Sequence, residues 1–300
     1  MTENNRVNTK LWSDLDLETI RKRQTEYFKR HQVFLQKFDG IIDEFLTLFL
    51  DISKVTFHCI KDKVDEEFMY VYAMIGSRWF SHIESLTSLL YSGYYGDASA
   101  LARMIIGDIN LLLYFGHFPE DIPKWRRLAD YWPQKKDEPK EIKELRYYFL
   151  DSEIRKRLAK KQEPWEDGGI LSQAVHATDW GTQFYAKRKY DKEHTFIVNF
   201  GPIYDPFFAL KMRCLMVSFI RPPCDAFLNH CHQIKLDVPG VEEVISRYFS
   251  LVEKWDKQIK KLSSVIDEIV KIEARVDAGE DYHTIVSEEV KKLEEMGYLK

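Results

Sequence analysis

A long heptad repeat near the carboxyl end constrains the fold of this chain more than any other feature. Apolar side chains recur there in alternating steps of four and three residues, at Val241, Ile245, Tyr248, Val252, Trp255, Ile259, Leu262, Ile266 and Ile269. This spacing places all of them on one face of an α-helix, which needs a partner surface to bury it. Pro239 precedes the repeat and 277–279 follow it, so we expect one helix roughly 50 Å long.

Other segments have the same helical periodicity. A second heptad seam runs from Phe34 to Cys59, and apolar residues in register predict helices over about 66–91 and about 98–115. Glycine and proline are scarce, at 13 and 10 of 300 residues, and no long segment alternates apolar and polar residues as a strand would. We therefore predict an all-α fold, a bundle of long antiparallel helices.

The middle of the chain, from about 118 to 205, has a different composition. Proline, glycine and tryptophan interrupt it, for example in "HFPEDIPKW" and "EPWEDGG", and one helix is predicted over about 140–160. We interpret this part as a loop-rich insertion in a helical bundle domain that spans 1–276. The remainder, 277–300, is predicted to be a short C-terminal helical appendage. Loops on a rigid scaffold often carry functional residues.

Composition narrows the function classes. The net charge of −4 exerts no overall attraction on a polyanion, so contact with nucleic acid requires a local basic patch. The four cysteines show no C-x-x-C spacing, which predicts reduced and buried thiols. The first residues contain no apolar signal region, and no apolar run is long enough to span a bilayer. We expect a soluble, cytoplasmic protein without a membrane contact.

Familiar cofactor and metal motifs are missing from the sequence. It contains no G-x-x-x-x-G-K-[ST] phosphate loop, no G-x-G-x-x-G, no G-x-S-x-G and no H-E-x-x-H. His230, Cys231 and His232 are of metal-binding type, but their spacing fits no zinc pattern. In a helix, the two histidines would also point to different faces. We expect no cofactor and no metal.

A polar cluster is predicted between the two central helices. His82 and Asp108 fall on the seam positions of their helices, with Arg78 one turn before His82 and Arg103 and Asn110 on adjoining faces. A short link makes these helices antiparallel neighbours, and a buried polar group without a partner costs about 1–3 kcal/mol, so we expect the five side chains to meet. Such a cluster fits a structural network that fixes the helix register, and it also fits a ligand-binding or catalytic site.

A basic, aromatic-rich tract lies between residues 155 and 192. Nine lysine and arginine residues stand there against five acidic residues, with tryptophan, tyrosine and phenylalanine interleaved. Basic residues neutralise phosphates and aromatic rings stack on bases, so this composition favours single-stranded RNA or DNA. A solvated, charged loop region has the same composition. The candidate nucleic-acid contacts are Arg155, Arg157, Trp180, Lys187 and Arg188.

Two short motifs resemble a family of prokaryotic all-helical proteins that carry a domain of unknown function. That family has A-x-x-L-x-R-x-x-x-E on a helix, followed later by L-S-x-x-x-H. The positions that match are Ala98, Leu101, Arg103, Leu171, Ser172 and His176. Gly107 stands where the family has its glutamate. The family is distantly similar to the HEPN superfamily of helical bundles, many of which are metal-independent ribonucleases in toxin or defence systems.

The resemblance adds a catalytic hypothesis to a binding hypothesis. The first hypothesis is a protein that binds another protein or a nucleic acid, in a stress or defence context that the resemblance implies. The second is a HEPN-like endoribonuclease with His176 as general acid or base and Arg103 stabilising the phosphorane charge. Arg103 is required because the HEPN motif is Arg-x(4–6)-His, and no arginine lies in that window before His176. The heptad seams are compatible with a homodimer and with packing inside one chain.

Overall fold

The computed structural model describes residues 16–35, 39–129, 139–161, 186–188, 196–198, 202, 206–277, 288, 291 and 295. Within these ranges the protein is a bundle of α-helices, which confirms the predicted all-α fold class. One antiparallel strand pair accompanies the helices, β1 (Ala186–Arg188) with β2 (Phe196–Val198). At three residues each, these strands do not change the class.

The helices differ in length, and the long ones make the bundle. In chain order they are α1 Leu17–Leu35, α2 Asp39–Lys61, α3 Glu66–Tyr91, α4 Tyr95–His117, α5 Ile122–Ala129, α6 Lys140–Tyr148, α7 Asp151–Leu158, α8 Pro206–Phe219, α9 Pro222–Ile234 and α10 Val241–Asp277. A 3-10 turn, Pro119–Asp121, leads from α4 into α5. The helix predicted from the heptad repeat is α10, and the one predicted over 66–91 is α3.

One sequence prediction about the insertion was wrong. The single helix expected over about 140–160 is two helices, α6 and α7, with a break at Phe149 and Leu150. Leu150 has the extended backbone of a residue that precedes a helix. The Phe149 ring packs edge-on against Tyr114 and beside Phe115, both on α4. Burial of this ring accompanies the break, which the periodicity of the segment did not indicate.

Helix α4 lies at the centre of the bundle. It packs against α3 along its length and also contacts α7, α8 and α9. Contrary to the expectation from the sequence, α4 is long and apolar enough to cross a membrane, the one such helix in the described chain, but 72% of its most apolar window is buried inside the fold. Burial of that extent is what the core helix of a bundle shows.

The core against α3 is rich in aromatic rings. Trp79 is fully buried, and its ring lies 4.9 Å from that of Phe49 on α2, measured between centroids. The two helices approach closely because residue 76 is glycine: a Cβ there would lie 2.6 Å from Phe49 Cζ. This contact sets the level at which α2 and α3 cross.

The first half of the α10 seam is covered by the chain's own helices. Val241 and Tyr248 of the seam are buried, as are Val244 and Leu251 beside it, and α10 packs against α2 and α8. Lys254 Nζ lies 2.6 Å from Glu44 Oε2 on α2, which adds an ion pair at the edge of this interface. The amino-terminal and carboxyl-terminal seams therefore pack on one another, as two amphipathic helices of one core.

Candidate functional site

The α3–α4 pair brings three of the predicted polar residues together. Asp108 on α4 is only 2% exposed. It accepts a hydrogen bond from Arg78 Nη2 through Oδ1, and its Oδ2 lies 3.1 Å from His82 Nδ1. Arg78 and His82 are one turn apart on α3, so both reach the same carboxylate. We refer to these three residues as the Asp108 cluster.

The Asp108 cluster is open on one side. The side chain of Arg78 is 53% exposed and that of His82 is 15% exposed, whereas that of Asp108 is 3% exposed. Because the Asp108 carboxylate accepts hydrogen bonds, His82 Nδ1 is the donor and Nε2 is the nitrogen left for other contacts. Within the described part of the chain Nε2 has no hydrogen-bond partner, and it is not enclosed. The imidazole is thus held by one nitrogen and accessible at the other.

Electrostatics make Asp108 dependent on its partners. Burial raises the pKa of the Asp108 carboxyl above its ordinary value, while the hydrogen bond and charge of Arg78, and then His82, act to lower it. Loss of Arg78 would leave His82 alone to oppose the cost of a buried charge. The carboxylate therefore orients His82 and depends on Arg78 to remain ionised.

Arg103 and Asn110 lie on other faces of α4. Arg103 Nη2 donates to Asp151 Oδ2 on α7 at 2.7 Å, and Arg155 Nε lies 3.3 Å from the same oxygen. Asn110 is fully buried. Relative to Asp108, these positions are rotated by about 140° and about 160° around the helix axis, so they share no face with it.

An open strip of α4 separates the two groups. Met104 is 51% exposed, and nothing lies within 4 Å of the position that a Cβ of Gly107 would take. The Asp108 cluster borders this strip on the α3 side, and the Arg103–Asp151 pair borders it on the α7 side. The surface offers room for a ligand between two charged edges.

The remaining predicted site residues are those of the basic tract and His176. His176 and Trp180 lie outside the described residues, and of Lys187 and Arg188 only the backbone, in β1, is described. Arg157 binds groups of the protein: its Nη1 donates to Tyr114 Oη at 2.9 Å, and its guanidinium carbon lies 3.5 Å from the centre of the Tyr148 ring. Its guanidinium is therefore already engaged in holding helices together.

A second polar cluster, absent from the sequence predictions, surrounds Asp121. This carboxylate is 4% exposed and accepts hydrogen bonds from the hydroxyls of Tyr114 and Tyr148, the latter at 2.7 Å. Lys124 Nζ donates to its other oxygen at 2.6 Å. Together with Arg157, these residues form the Asp121 cluster, which ties α4, α5, α6 and α7 to one another. No local motif indicates it, because its members come from four helices and a turn.

Hydrogen bonding decides the charge state of Asp121. Burial alone would raise the pKa of this carboxyl, but the hydrogen bonds from Lys124, Tyr114 and Tyr148 outweigh it and lower the pKa. The pKa of the Tyr114 hydroxyl is raised, by burial first and then by its hydrogen bond to Asp121. The cluster is therefore an ionised carboxylate that accepts hydrogen bonds from three donors.

The short helices after α4 form the most basic part of the described chain. Residues 119–129 and 139–161, which we call the α5–α7 layer, contain eleven lysines and arginines against six acidic residues. Lys143, Lys160 and Lys161 are exposed and form no ion pair within the described residues. Tyr147, one turn after Lys143 on α6, is 63% exposed. The sequence prediction placed the basic tract at 155–192, so it included only the last part of this layer.

Three cysteine and histidine residues of α9, namely Cys224, His230 and Cys231, are buried and used for packing, whereas His232 is exposed. His230 is 1% exposed, shares a hydrogen bond with Asp65 and stacks on the Phe68 ring. Burial raises the pKa of the Cys231 thiol to about 12, so it stays protonated. In the ranges that the structure describes, no three His, Cys, Asp or Glu side chains are grouped so as to hold a metal ion.

Comparison of the chain with protein-family models, with curated proteins and with solved structures finds no match. Function is therefore inferred from the residues themselves. The features that bear on it are the open Asp108 cluster, the strip of α4 beside it and the α5–α7 layer.

Proposed function

We propose that the protein binds single-stranded RNA on the α5–α7 layer. The observation that carries this proposal is a reversal of charge: the layer has a balance of +5 in a chain whose net charge is −4. The rest of the chain therefore repels a polyanion while this layer attracts it. Neutralisation of phosphates by lysine and arginine supplies most of the sequence-independent affinity of nucleic-acid binding.

The exposed side chains of the layer suit a single strand. Lys143 and Tyr147 are four residues apart on α6 and lie on one face, so a phosphate and the adjacent base can be bound together. Stacking of a base on an aromatic ring is worth about 1–3 kcal/mol and tolerates any base. Lys160 and Lys161 extend the positive charge beyond the end of α7.

A charge-matched pair of variants tests the proposal. The probe is a fluorescein-labelled uridine oligonucleotide, about 20 nucleotides long, titrated by anisotropy at several salt concentrations from about 50 mM upward. The test variant replaces Lys143, Lys160 and Lys161 by glutamine. The control variant replaces Lys29, Lys257 and Lys260 by glutamine, because these lysines are also exposed and form no ion pair within the described chain.

The two variants have the same net charge, so they separate a local patch from overall charge. The test variant should lower the slope of log affinity against log salt by about 2, since each phosphate contact on a single strand contributes about 0.7. The control variant should keep the wild-type slope. Absence of binding at low salt, or equal losses in both variants, would refute the proposal.

Cleavage of RNA is a second candidate function, favoured by the geometry of the Asp108 cluster. The buried Asp108 carboxylate binds His82 through Nδ1, which leaves Nε2 accessible. Arg78 donates a hydrogen bond to the same carboxylate. An accessible imidazole can take the proton of a 2′-hydroxyl, and a neighbouring guanidinium can stabilise the phosphorane. In this proposal His82 and Arg78 take the roles that the sequence hypothesis gives to His176 and Arg103.

An assay without metal distinguishes the two histidines. A pool of single-stranded RNA in EDTA is incubated with the wild type, with His82→Gln, with His176→Ala and with His58→Gln, a control at an exposed position on α2. Cleavage lost in His82→Gln alone supports the Asp108 cluster. Cleavage lost in His176→Ala alone supports the HEPN-like pair instead. Intact RNA with the wild type removes the second candidate and leaves RNA binding.

A further inference from the structure

A cleft lies where α8 ends and α9 begins, and none of its lining residues belongs to the α5–α7 layer. Its volume is about 390 Å³, and α10 forms one wall. Pro222 and Pro223 begin α9, and they end the helical hydrogen bonding of α8 because proline has no N–H. Sites for small molecules occupy roughly 300–1,000 Å³, so this cleft has the size for a small ligand.

Three polar side chains converge in the cleft. Asp225 Oδ1 accepts a hydrogen bond from the Tyr248 hydroxyl on α10, and Arg221 Nε lies 3.3 Å from both Asp225 oxygens. Burial raises the pKa of the Asp225 carboxyl, and the hydrogen bond from Tyr248 followed by the charge of Arg221 opposes that rise. Arg221 and Asp225 are each partly exposed, at 29% and 26% of their side chains.

The aromatic wall is held in place by a buried contact. Trp255 Nε1 donates to the Val217 carbonyl of α8 at 2.7 Å, which fixes the plane of the indole ring. The guanidinium carbon of Arg221 lies 4.8 Å from the centre of that ring, within the range of a cation–π interaction. The guanidinium is therefore anchored by its Nε edge and by the ring, so its terminal nitrogens have a defined direction.

The lining has unused hydrogen-bonding capacity of both signs. A guanidinium has five N–H donors in a planar fork, and Arg221 directs Nε at Asp225 and a further hydrogen bond at the Tyr248 hydroxyl, which leaves donors for a ligand. The other described carboxylate within 4.0 Å of Arg221 is that of Asp256, at 3.9 Å from Nη1. A carboxylate has about four acceptor positions, and at Asp225 the Tyr248 hydroxyl and Arg221 Nε occupy two of them.

Charge balance narrows the ligand. The charges of Arg221 and Asp225 cancel within the lining, so a ligand with a net charge of either sign is repelled by one of the two groups. A zwitterion instead satisfies both, with a carboxylate bound bidentately by the Arg221 fork and an ammonium group on Asp225. Leu113 and Pro222 supply apolar wall for a side chain. We propose that this cleft binds a free α-amino acid with an apolar side chain, a function independent of RNA binding.

The experiment uses the full chain and the free amino acids as probes. Each of the apolar L-amino acids is added at about 5 mM in thermal-shift measurements, and hits are titrated calorimetrically. Two analogues of the best ligand are compared with it. For leucine they are 4-methylpentanoate, which lacks the ammonium group, and 3-methylbutylamine, which lacks the carboxylate. Each analogue should bind at least about tenfold more weakly, because it loses one charge-assisted contact.

Two rim variants make the test independent of the ion pair, whose removal could unfold the protein. Asn229 is exposed and lines the cleft, so Asn229→Trp should block the ligand while Arg221 and Asp225 remain. Gln233→Trp, one turn further along α9 and also exposed, is the matched control. Binding of an amino acid that is lost in the first variant and kept in the second supports the proposal. No thermal shift with any amino acid, or an analogue that binds as tightly as the amino acid itself, would overturn it.

Discussion

Asp108 and Asp121 are both nearly inaccessible carboxylates, at 2% and 4% exposure, yet their surroundings differ in one respect. Around Asp121, two tyrosine hydroxyls and a lysine donate directly, and Arg157 packs on the tyrosines. The lysine or arginine partner is equally exposed in both clusters, at 51% of the side chain for Lys124 and 53% for Arg78. The Asp108 cluster differs in that His82 Nε2 has no hydrogen-bond partner within the described chain. Burial of a charged group thus does not separate a structural network from a reactive site, whereas an accessible nitrogen on an imidazole held by that group does.

This difference assigns distinct roles to the two clusters. The Asp121 cluster joins four helices and holds the α5–α7 layer in place, so its loss should cost stability. The Asp108 cluster joins α3 and α4, which already share an extensive apolar interface, so its loss should cost less. The pKa shifts agree, because the pKa of Asp121 is lowered and that of Asp108 is raised.

The largest expected effect is that of Asp121→Ala. The substitution leaves the hydroxyls of Tyr114 and Tyr148 without their acceptor, and we expect the free energy of unfolding to fall by about 3 kcal/mol. Urea denaturation measures the loss. RNA affinity should fall with it, because the α5–α7 layer loses its anchor. A loss below about 1 kcal/mol would mean that the two clusters do not differ in structural weight.

Removing a single donor should produce a smaller effect. Tyr148→Phe deletes the hydroxyl that lies 2.7 Å from Asp121 and keeps the ring on which Arg157 stacks. We expect a loss of about 1 kcal/mol in urea denaturation. Its neighbour provides the control: Tyr147→Phe alters an exposed hydroxyl and should leave stability unchanged. Similar losses in both variants would show that the hydroxyl bond to Asp121 contributes nothing specific.

The pH dependence of stability should have opposite signs at the two carboxylates. The pKa of Asp121 is lowered from 3.8, so its contribution is present above that value and is lost as pH falls through the folded-state pKa. The pKa of Asp108 is raised from 3.8, so its contribution is present below that value and is lost as pH rises through the folded-state pKa.

The two directions of pH dependence are tested by measuring the free energy of unfolding of the wild type, Asp121→Asn and Asp108→Asn between about pH 3 and about pH 6. Relative to the wild type, Asp121→Asn should lose less stability at the acid end of that range. Asp108→Asn should lose less stability as pH rises toward the neutral end. Parallel curves for the two variants would contradict the assigned pKa directions.

The smallest expected change in stability is that of His82→Gln. The imidazole is partly exposed and bonded to Asp108 at 3.1 Å, so we expect a loss of about 0.5 kcal/mol. The same variant should abolish any cleavage of RNA by the protein. A loss as large as that of Asp121→Ala would place His82 among the structural residues and remove the contrast between the clusters.

The parts of the fold and site that sequence reasoning located depend on local order. Residue 65 precedes α3, and residues 92–94 link it to α4. With these bounds, the 3.6-residue period of the two helices suffices to place Arg78, His82 and Asp108 on facing surfaces. The α10 seam is local in the same way, and its start at Val241 was predicted from Pro239.

The parts that sequence reasoning missed depend on contacts between distant segments. Asp121 meets Tyr148 across 27 positions of the chain, and Asp225 meets Tyr248 because α10 returns along α8, the helix that precedes Asp225. Periodicity shows which face of a helix is buried, but it does not show which of the other helices covers that face. The same limit explains Arg157, whose basic side chain indicated nucleic acid while its contacts are with Tyr114 and Tyr148.

Photo-crosslinking tests RNA binding by the α5–α7 layer most directly. The full chain is irradiated with a single-stranded oligonucleotide containing 4-thiouridine, and the attached peptides are identified by mass spectrometry. The charge reversal and the exposed ring predict crosslinks within 139–161, with Tyr147 foremost. Crosslinks confined to α1, α2 or α10, or none at low salt, would contradict the assignment of this layer as the RNA-binding surface.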